Sequence, residues 1–282
     1  MFGLLSLAFL IIIFFYQCIK FYDGKLHLVF CDVGQGDAIF IRTPGGLNML
    51  VDGGPDDSVL NCLSKHIPFW DRHISVVILT HPHADHLNGL YQVLQQYTLS
   101  TFVTERLAND TAQYRELMSD IDKKKITKRF VVGGDMFAAH EVSFNFIGPT
   151  EAFLTATSPN GKIGEKKEFS SLETVVKYKN FSALLTGDSQ VDELREGLQT
   201  FNTAHISLLQ VPHHGSASGL DPQVLRTIQP ALAVISVGLH NRYNHPSPFT
   251  VGFLDELGIK TLRTDRHGEV EIVSDGLKWR IL

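Results

Sequence analysis

Residues 80–89 read THPHADHLNG and place three histidines and an aspartate within six positions. They follow SVVILT (75–80), a continuous apolar run of the kind that forms a buried strand. Apolar side chains recur at helical spacing after the cluster, which predicts a helix over residues 86–97. The cluster therefore lies at the carboxyl end of a strand, where the functional sites of α/β proteins lie.

The spacing within this cluster suits two divalent cations. His81 and His83 are two residues apart, and in an extended segment their side chains point to the same side. Asp85 and His86 fall at the turn into the helix, point elsewhere and suit a second cation. Zinc, manganese and iron accept such ligands, so we predict a metal site rather than a histidine-rich surface loop.

A complete metal site needs ligands from other parts of the chain. A carboxylate has two oxygens and can hold two cations ~3.5–4 Å apart. Each single candidate also has a purely structural explanation, because aspartate before glycine is common in turns. The candidates that follow an apolar run are Asp52, Asp188, His213 and His214.

Residues 2–19 contain no charged side chain, and eighteen helical residues span roughly 27 Å, close to a bilayer core. The alternative is a cleaved signal peptide, but a basic leader and a small-x-small cleavage site are both missing. We expect an uncleaved, single-pass membrane anchor over residues 1–24 and one folded domain over residues 25–282. Lys20 and Lys25 favour a cytoplasmic domain by the positive-inside rule, and the opposite orientation stays open.

The composition bounds the remaining possibilities. With 282 residues and 44% hydrophobic side chains the chain can bury a large core, and its net charge of -5 argues against a nucleic-acid coat protein. The basic run at residues 123–129 could touch phosphates but is more typical of a solvated helix end. Three cysteines without C-x-x-C argue against disulfides and thiolate metal sites, so Cys31 is expected to be a buried free thiol.

Strands and helices alternate in both halves of the chain, which predicts two sheets back to back between helices. A hairpin is expected near residues 128–147, a polar surface loop over 155–170, and a pair of strands on either side of Asn180.

The series D-G-G, T-H-P-H-A-D-H, T-G-D and H-H-G-S resembles the metallo-β-lactamase fold hydrolases. Within that superfamily, residues 25–282 look like the metallohydrolase domain of ComEC-type DNA-uptake channels. The resemblance implies an αββα sandwich with a dinuclear site, and hydrolysis of a DNA phosphodiester during uptake. The matching segments are FCDVGQGDAIFIRTPGG (30–46), HPHADHLNGL (81–90), LLTGDSQ (184–190), VPHHGSASG (211–219) and NHPSP (244–248).

The resemblance also implies which residues hold the two cations. His81 and His83 would hold the first cation, whereas Asp85 and His86 would hold the second. Asp188 would bridge both cations. Asp85 is in addition a candidate catalytic group.

Further residues have supporting roles in the resemblance. His213 or His214 would complete the second site, and which of them does so stays open. Asp52 and Asp32 would orient the ligands by hydrogen bonds. His245 would bind substrate or protonate the leaving group, although a histidine in an ordinary turn is the alternative.

One ligand of the wider superfamily is missing here. Other members have a histidine between the cluster and the bridging aspartate, whereas the matching stretch SSLETVV (170–176) has none. ComEC-type domains commonly carry Asn or Ser there. The first cation would then have three protein ligands and stay open to water or substrate, so either zinc or manganese fits.

Three functions remain as hypotheses. The first is a membrane-anchored, metal-dependent phosphodiesterase or nuclease that acts on DNA together with a separate channel subunit. The second is a hydrolase of a small or cell-envelope ester, phosphoester or lactone at the same site. The third is a metal-binding subunit of a membrane DNA-transport assembly without catalysis.

Overall fold

A computed structural model of the chain describes the backbone of residues 2–163, 170–201 and 206–282. It describes the side chains of the same residues except residues 2–4 and 8. The helices are α1 Phe2–Phe21, α2 Ser58–His66, α3 Ala84–Gln96, α4 Ala112–Lys123, α5 Glu151–Thr157, α6 Val191–Thr200, α7 Pro222–Ile228, α8 Pro248–Glu256 and α9 Thr264–His267, with a 3₁₀ turn at Pro212–Gly215. The strands are β1 Leu26–Phe30, β2 Ile39–Arg42, β3 Asn48–Val51, β4 His73–Leu79, β5 Thr98–Thr104, β6 Thr127–Phe130, β7 Met136–Ala139, β8 Val142–Gly148, β9 Glu173–Tyr178, β10 Phe181–Leu185, β11 Leu208–Gln210, β12 Leu232–Ile235, β13 Lys260–Arg263, β14 Val270–Ser274 and β15 Trp279–Ile281.

The strands form two sheets, each with an antiparallel and a parallel part. The first has the order β15-β14-β1-β2-β3-β4-β5-β6, and the second has the order β13-β12-β11-β10-β9-β8-β7. Strands β3 to β6 run parallel in the first sheet, as do β10 to β13 in the second. The carboxyl ends of neighbouring parallel strands share one edge of a sheet, so each sheet presents one such edge.

Apolar side chains form three packed layers that hold the sheets and helices together. Along β1, Leu26, Leu28 and Phe30 enter the cluster between the two sheets, because alternate residues of a strand face opposite sides. Val29, on the other face, packs in the cluster that α2, α3 and α4 cover. A third cluster packs α6, α7 and α8 on the second sheet. The predicted αββα arrangement is confirmed.

Two sequence-based expectations about local structure were correct only in part, and one was confirmed. The hairpin predicted near 128–147 divides between the sheets: β6 pairs with β5 in the first, and only β7 and β8 form the hairpin, in the second. The predicted loop over 155–170 begins as the end of α5 and continues over residues 158–163 without a helix or a regular strand, whereas residues 164–169 lie outside the described residues. The strand pair around Asn180 is formed by β9 and β10.

A disulfide joins Cys31 and Cys62, so the expectation of a free buried Cys31 was wrong. The cause is α2, which carries Cys62 and packs on the same face of the first sheet as Cys31. Their Cα atoms are thereby brought to 5.7 Å although 31 residues separate them in sequence. Cys18, on α1, is the remaining free cysteine of the described residues.

The N-terminal segment forms α1, and many of its large apolar side chains are exposed, including Phe9, Ile12 and Ile19. Across the part of the chain that the structure describes, however, no helix has the length and apolarity needed to cross a bilayer. The expected transmembrane anchor therefore has no support from the structure.

We predict that Phe144→Ala lowers the free energy of unfolding by about 3–5 kcal/mol, measured by chemical denaturation. Phe144 is fully buried between the sheets, and its ring stacks on Phe137 with centroids 4.8 Å apart, so truncation leaves a cavity. Phe130→Ala is the matched control, because that ring is 47% exposed. An equal loss in both variants would contradict this account of the core.

Candidate metal centre

Polar side chains gather where the parallel strand ends of both sheets meet. From the first sheet, Asp52 follows β3 and His81 follows β4 closely. From the second sheet, Asp188 follows β10 and His214 follows β11. All four are at most 4% exposed, so their polar atoms must be satisfied by one another or by a bound group.

The carboxylate of Asp188 lies at the centre of this gathering and faces histidines on two sides. Its Oδ2 atom lies 3.7 Å from Nε2 of His81 and 3.7 Å from Nε2 of His213. Its Oδ1 atom lies 3.3 Å from Nε2 of His86 and 3.5 Å from Nε2 of His214. The two oxygens of one carboxylate can therefore serve two cations, as expected of a bridging ligand.

Two groups of ligand atoms result, and they share Asp188. Within each group the ligand atoms lie within 4.8 Å of one another. The first group comprises His81, His83 and Asp188. The second group comprises Asp37, His86, Asp188 and His214.

Unpaired buried atoms show that these residues fit divalent cations. In the described part of the chain, five atoms of the two groups are buried without a hydrogen-bond partner: Asp37 Oδ1, His81 Nε2, His86 Nε2, Asp188 Oδ1 and His214 Nε2. A buried polar atom without a partner costs free energy. Nitrogen and carboxylate lone pairs directed at one place are the ligands that zinc and manganese accept.

The partners of the Nδ1 atoms set the orientation of two of these imidazoles. His86 Nδ1 lies 2.8 Å from Asp52 Oδ2, and His214 Nδ1 lies 3.0 Å from the carbonyl oxygen of Ser236. A carboxylate and a carbonyl only accept hydrogen bonds, so both Nδ1 atoms donate. In a neutral ring the lone pair is then on Nε2 and points into the centre, as a metal ligand requires.

Asp52 also fixes the start of the histidine cluster. Its two carboxylate oxygens accept hydrogen bonds from the backbone N–H and the hydroxyl of Thr80, each at 2.8 Å. The Thr80 oxygen lies 3.2 Å from His81 Nδ1. Asp52 thus makes hydrogen bonds of the orienting kind that the family resemblance implies for it.

Electrostatics favour the cation-binding protonation state at some ligands and oppose it at others. Burial opposes ionisation of Asp188, but His214 and His86 hold the pKa of its carboxyl well below the usual range. Burial and the neighbouring His86 lower the pKa of His81 well below its ordinary value. Metal ligands must be ionised carboxylates and neutral imidazoles, so both shifts favour cation binding.

Two imidazoles of the second group are shifted in the opposite direction. Although burial opposes protonation, Asp188 and Asp52 raise the pKa of His86 well above its ordinary value. Against the same effect of burial, Asp188 and Asp37 raise the pKa of His214 to about 9. A cation therefore has to displace a proton from these two rings.

His214, and not His213, belongs to the second group. Both residues have left-handed backbone conformations, with φ of 53° for His214 and 49° for His213. His213 Nδ1 lies 3.0 Å from Gln190 Nε2, and its Nε2 faces Asp188 Oδ2 on the side of the first group. The sequence left this choice open because both histidines follow the same strand.

The second group differs from the prediction in its carboxylates. Asp85 is outside the group, with Oδ2 3.6 Å from His214 Nε2, and its side chain is 31% exposed. Asp37 supplies the carboxylate that was predicted to come from Asp85, and its side chain is buried. Asp32, predicted to orient the ligands, is exposed and belongs to neither group. Asp32 and Asp37 are the first and last residues of D-V-G-Q-G-D, so the motif was a signal for Asp37 that sequence reasoning missed.

Gln210 connects Asp37 with the turn that carries Asp188, and sequence reasoning also missed this residue. Its amide nitrogen donates to Asp37 Oδ2 at 2.8 Å. Its amide oxygen accepts from the backbone N–H groups of Thr186, at 3.0 Å, and Gly187, at 3.3 Å. One buried side chain on β11 thus holds parts of both ligand groups in place.

Ser171 lies where the wider superfamily is expected to have its further histidine. Its hydroxyl accepts a hydrogen bond from the backbone N–H of Asp188 at 3.1 Å and lies 3.5 Å from His81 Nδ1. A Cβ atom at Gly187, whose φ is 49°, would collide with this hydroxyl. The close approach explains the glycine of T-G-D and leaves the first group with its three ligands.

His245 lies at the margin of the centre. It belongs to neither ligand group, is half-buried, and its ring centroid lies 5.7 Å from that of His213. Burial and the charge of His213 lower its pKa below the ordinary histidine value. This position is compatible with the predicted contact to substrate.

Three buried glutamates, Glu105, Glu173 and Glu193, lie behind the segment that carries Ser171. Glu193 Oε1 accepts hydrogen bonds from the backbone N–H of Ser171 at 3.0 Å and from the hydroxyl of Ser170 at 3.1 Å. Burial raises the pKa of Glu193 to about 8, and burial together with Glu193 raises the pKa values of the other two. Burial thus favours the protonated form of all three carboxyls.

Comparison with known proteins agrees with this architecture. The model of the metallo-β-lactamase superfamily matches residues 31–142. The metallo-β-lactamase fold protein YhfI from Bacillus subtilis is similar in structure, with a TM-score of 0.56 and 12% identity over 85% of this chain and 96% of that chain. The predicted fold is confirmed.

Two curated proteins are similar in sequence. ComE operon protein 3 of Bacillus subtilis is 25% identical over 277 residues, which cover 92% of this chain and 34% of that protein. Recombination protein 2 of Haemophilus influenzae is 26% identical over 219 residues, which cover 76% of this chain and 24% of that protein. The chain thus spans about a third or less of the length of these relatives.

Removal of the Asp37 carboxylate is expected to weaken the second group. We predict that Asp37→Ala loses about one divalent cation per chain relative to the unchanged protein, measured by elemental mass spectrometry after dialysis. Asp32→Ala is the matched control from the same motif and keeps the full metal content, because Asp32 is exposed. Loss in both variants, or in neither, would contradict the assignment of Asp37.

Glu193 is expected to make stability depend on pH. Its pKa is about 8 in the folded protein against an ordinary value of 4.5, so its stabilising contribution is complete below 4.5 and is lost as pH rises toward 8. Glu193→Gln keeps an acceptor oxygen but removes the ionisation. As the pH rises from 6 to 9, the unchanged protein should lose at least about 1 kcal/mol more of its free energy of unfolding than the Glu193→Gln variant does.

Thermal and chemical unfolding at several pH values measure this effect. Asp192→Asn is the control on the same helix, because Asp192 is exposed, and it should leave the pH profile unchanged. Parallel pH profiles for Glu193→Gln and the unchanged protein would show that Glu193 does not titrate in this range.

Proposed function

Since this chain is a metallo-β-lactamase fold protein similar to ComEC-type proteins, we propose that it is a metal-dependent hydrolase of phosphodiester bonds that acts on DNA. The observation that carries the proposal is the Asp188 carboxylate, whose two oxygens face two groups of His and Asp ligands. Two cations held there would supply a hydroxide nucleophile near neutral pH and neutralise charge on a phosphate. The resemblance of the motifs to ComEC-type DNA-uptake domains, together with the similarity to a recombination protein, supports DNA as the substrate.

A groove of about 380 Å³ adjoins the candidate centre and offers a place for the substrate. Asp85, which approaches His214, is one of its walls, and Arg242 is another. The Arg242 side chain donates to the hydroxyl of Tyr243 at 2.8 Å and is otherwise exposed, so its guanidinium can bind a phosphate oxygen. A phosphodiester bound by Arg242 would extend toward the two ligand groups.

The residues around the groove suggest a division of tasks. Asp85 is partly exposed, and hydrogen bonding to His214 keeps its pKa below the usual value although burial opposes this. Its carboxylate is therefore ionised and can orient the attacking water or accept its proton. His245, at the margin of the centre, would bind the substrate or donate a proton to the leaving oxygen.

A second candidate function is hydrolysis of a small ester, phosphoester or lactone. Among the described residues that line the groove, Arg242 is the one arginine or lysine, and Asp85 would repel a phosphate backbone. The basic run at residues 123–129 precedes and enters β6, which is parallel to β4, so it starts at the opposite edge of the sheet from His81. This charge distribution favours a small substrate over a long polyanion.

We predict that the protein, with Mn²⁺ or Zn²⁺ added, cleaves both single-stranded DNA and bis-p-nitrophenyl phosphate. His81→Ala should lower both rates by about 10²-fold or more, because one cation loses a ligand. DNA cleavage that survives His81→Ala would indicate a contaminating nuclease. Cleavage of the small diester without DNA cleavage would favour the second candidate, and stoichiometric metal without hydrolysis of either would favour a metal-binding subunit.

Arg242→Ala tests the groove separately from the ligand groups. We expect KM for bis-p-nitrophenyl phosphate to rise about 10-fold, as for the loss of a charged contact, with metal content unchanged. Arg226→Ala, at an exposed arginine on α7, is the matched control and should leave KM unchanged. An unchanged KM in Arg242→Ala would exclude this arginine from substrate binding.

Location in a membrane and attachment to a separate channel subunit stay predictions. The exposed apolar side chains of α1 support membrane attachment, whereas none of the described helices is long and apolar enough to span a bilayer. Fractionation of the full chain and of a chain without residues 2–19 tests it. A soluble full-length protein would rule out attachment through this segment.

A further inference from the structure

A third group of metal-ligating side chains lies outside the two groups that share Asp188. It comprises Cys62 Sγ, a ring nitrogen of His66 and a carboxylate oxygen of Glu269, all within 4.8 Å of one another. Cys62 and His66 are four residues apart on α2 and therefore lie on the same face of that helix. Glu269 reaches this face from the segment between α9 and β14.

The surroundings of this group favour a cation. His66 Nε2 lies 2.6 Å from Glu269 Oε1, and His66 Nδ1 lies 3.9 Å from a second carboxylate, that of Glu271. Lys65 Nζ is 3.3 Å from Glu269 Oε2 and would have to leave this oxygen when a cation binds, but its side chain is 62% exposed, so water can solvate its ammonium group instead. Although burial opposes ionisation of Glu269, His66 and Lys65 hold the pKa of its carboxyl below the ordinary value. A negatively charged oxygen thus faces the ring of His66.

The disulfide uses the one sulfur that the group needs. Cys62 is bonded to Cys31, and Cys31 does not belong to the group. A sulfur within a disulfide no longer has the thiolate charge that binds zinc. The bond to Cys31 and a bond to a cation therefore exclude each other.

We propose that Cys62, His66 and Glu269 form a binding site for zinc or a similar divalent cation, available only while the Cys31–Cys62 disulfide is not formed. Sulfur, nitrogen and oxygen ligands together suit zinc, and three protein ligands leave a fourth position for water. Both states fasten α2 to the first sheet, once through Cys31 after β1 and once through Glu269 before β14.

The disulfide state and the cation-bound state form by different reactions of the Cys62 thiol. Forming the disulfide removes two electrons and two protons from the thiols of Cys31 and Cys62 and transfers them to a partner disulfide, which becomes two thiols. Loading the cation instead releases one proton, from the thiol of Cys62. Because Cys31 and Cys62 are both buried in the folded protein, the choice between the states is expected to be made while the chain folds.

Cobalt distinguishes this site from the candidate metal centre. A Co²⁺ ion bound to a thiolate has a charge-transfer absorption in the near ultraviolet, and the two groups that share Asp188 contain no cysteine among the described residues. All variants are made with Cys18→Ala, which removes the one other cysteine. The absorption then reports on Cys31 and Cys62 alone.

Cys31→Ser and Cys62→Ser form a matched pair, because each abolishes the disulfide. We expect Cys31→Ser to bind one more equivalent of Co²⁺ per chain than Cys62→Ser and to show the thiolate absorption without added reductant. The double variant with Cys31→Ser and His66→Ala should lose both the additional equivalent of Co²⁺ and the thiolate absorption. Equal cobalt content and no absorption in Cys31→Ser would overturn the proposal, whether or not the protein hydrolyses phosphodiesters.

A second measurement covers the case in which the single serine variants fold poorly. The Cys18→Ala protein is unfolded with a phosphine reductant, which takes oxygen from water as the disulfide becomes two thiols, and is refolded with or without Zn²⁺. We expect Zn²⁺ to slow alkylation of Cys62 by iodoacetamide at least about 10-fold, and His66→Ala to abolish the protection. Equal alkylation rates with and without Zn²⁺ would overturn the proposal.

Discussion

The candidate metal centre depends on one carboxylate that faces ligands from both sheets. Asp188 follows a strand of the second sheet, yet His81 and His86, which face its two oxygens, come from the first. The contacts exist only if the carboxyl ends of the parallel strands of both sheets meet. The apolar layer between the sheets enforces this meeting, because both sheets bury one face in it. The geometry of the centre therefore depends directly on the packing of the apolar core between the sheets.

Sequence reasoning identified most of the centre because its ligands are local to strand ends. His81, His83 and Asp188 occur in short segments that follow an apolar run, so pattern and chemistry coincide. The choice between His213 and His214 depends on two left-handed backbone residues, which no pattern of residue types determines. The same holds for the hairpin predicted near 128–147, because the chain passes from the first sheet to the second between β6 and β7.

The missed residues share a different cause. Asp37 and Gln210 are 173 positions apart in sequence, and their hydrogen bond only becomes visible when the sheets are placed together. The disulfide was missed for a similar reason, since α2 was not recognised and Cys62 therefore had no predicted position. Contacts of this kind can be identified only from the tertiary structure, because the local sequence around one residue does not indicate which distant residue it contacts.

Sharing of Asp188 has a consequence for the order in which cations are held. A carboxylate that serves two cations gives each of them less than its full charge, so the two affinities are coupled. The second group has two carboxylates and the first has only Asp188, so the cation beside His81 and His83 would be the weaker of the two. The protein would then pass through a singly loaded form on dilution or chelation. That form would have lost the cation beside His81 and His83, next to Ser171, so the metal supply itself would set what fraction of the protein holds both cations.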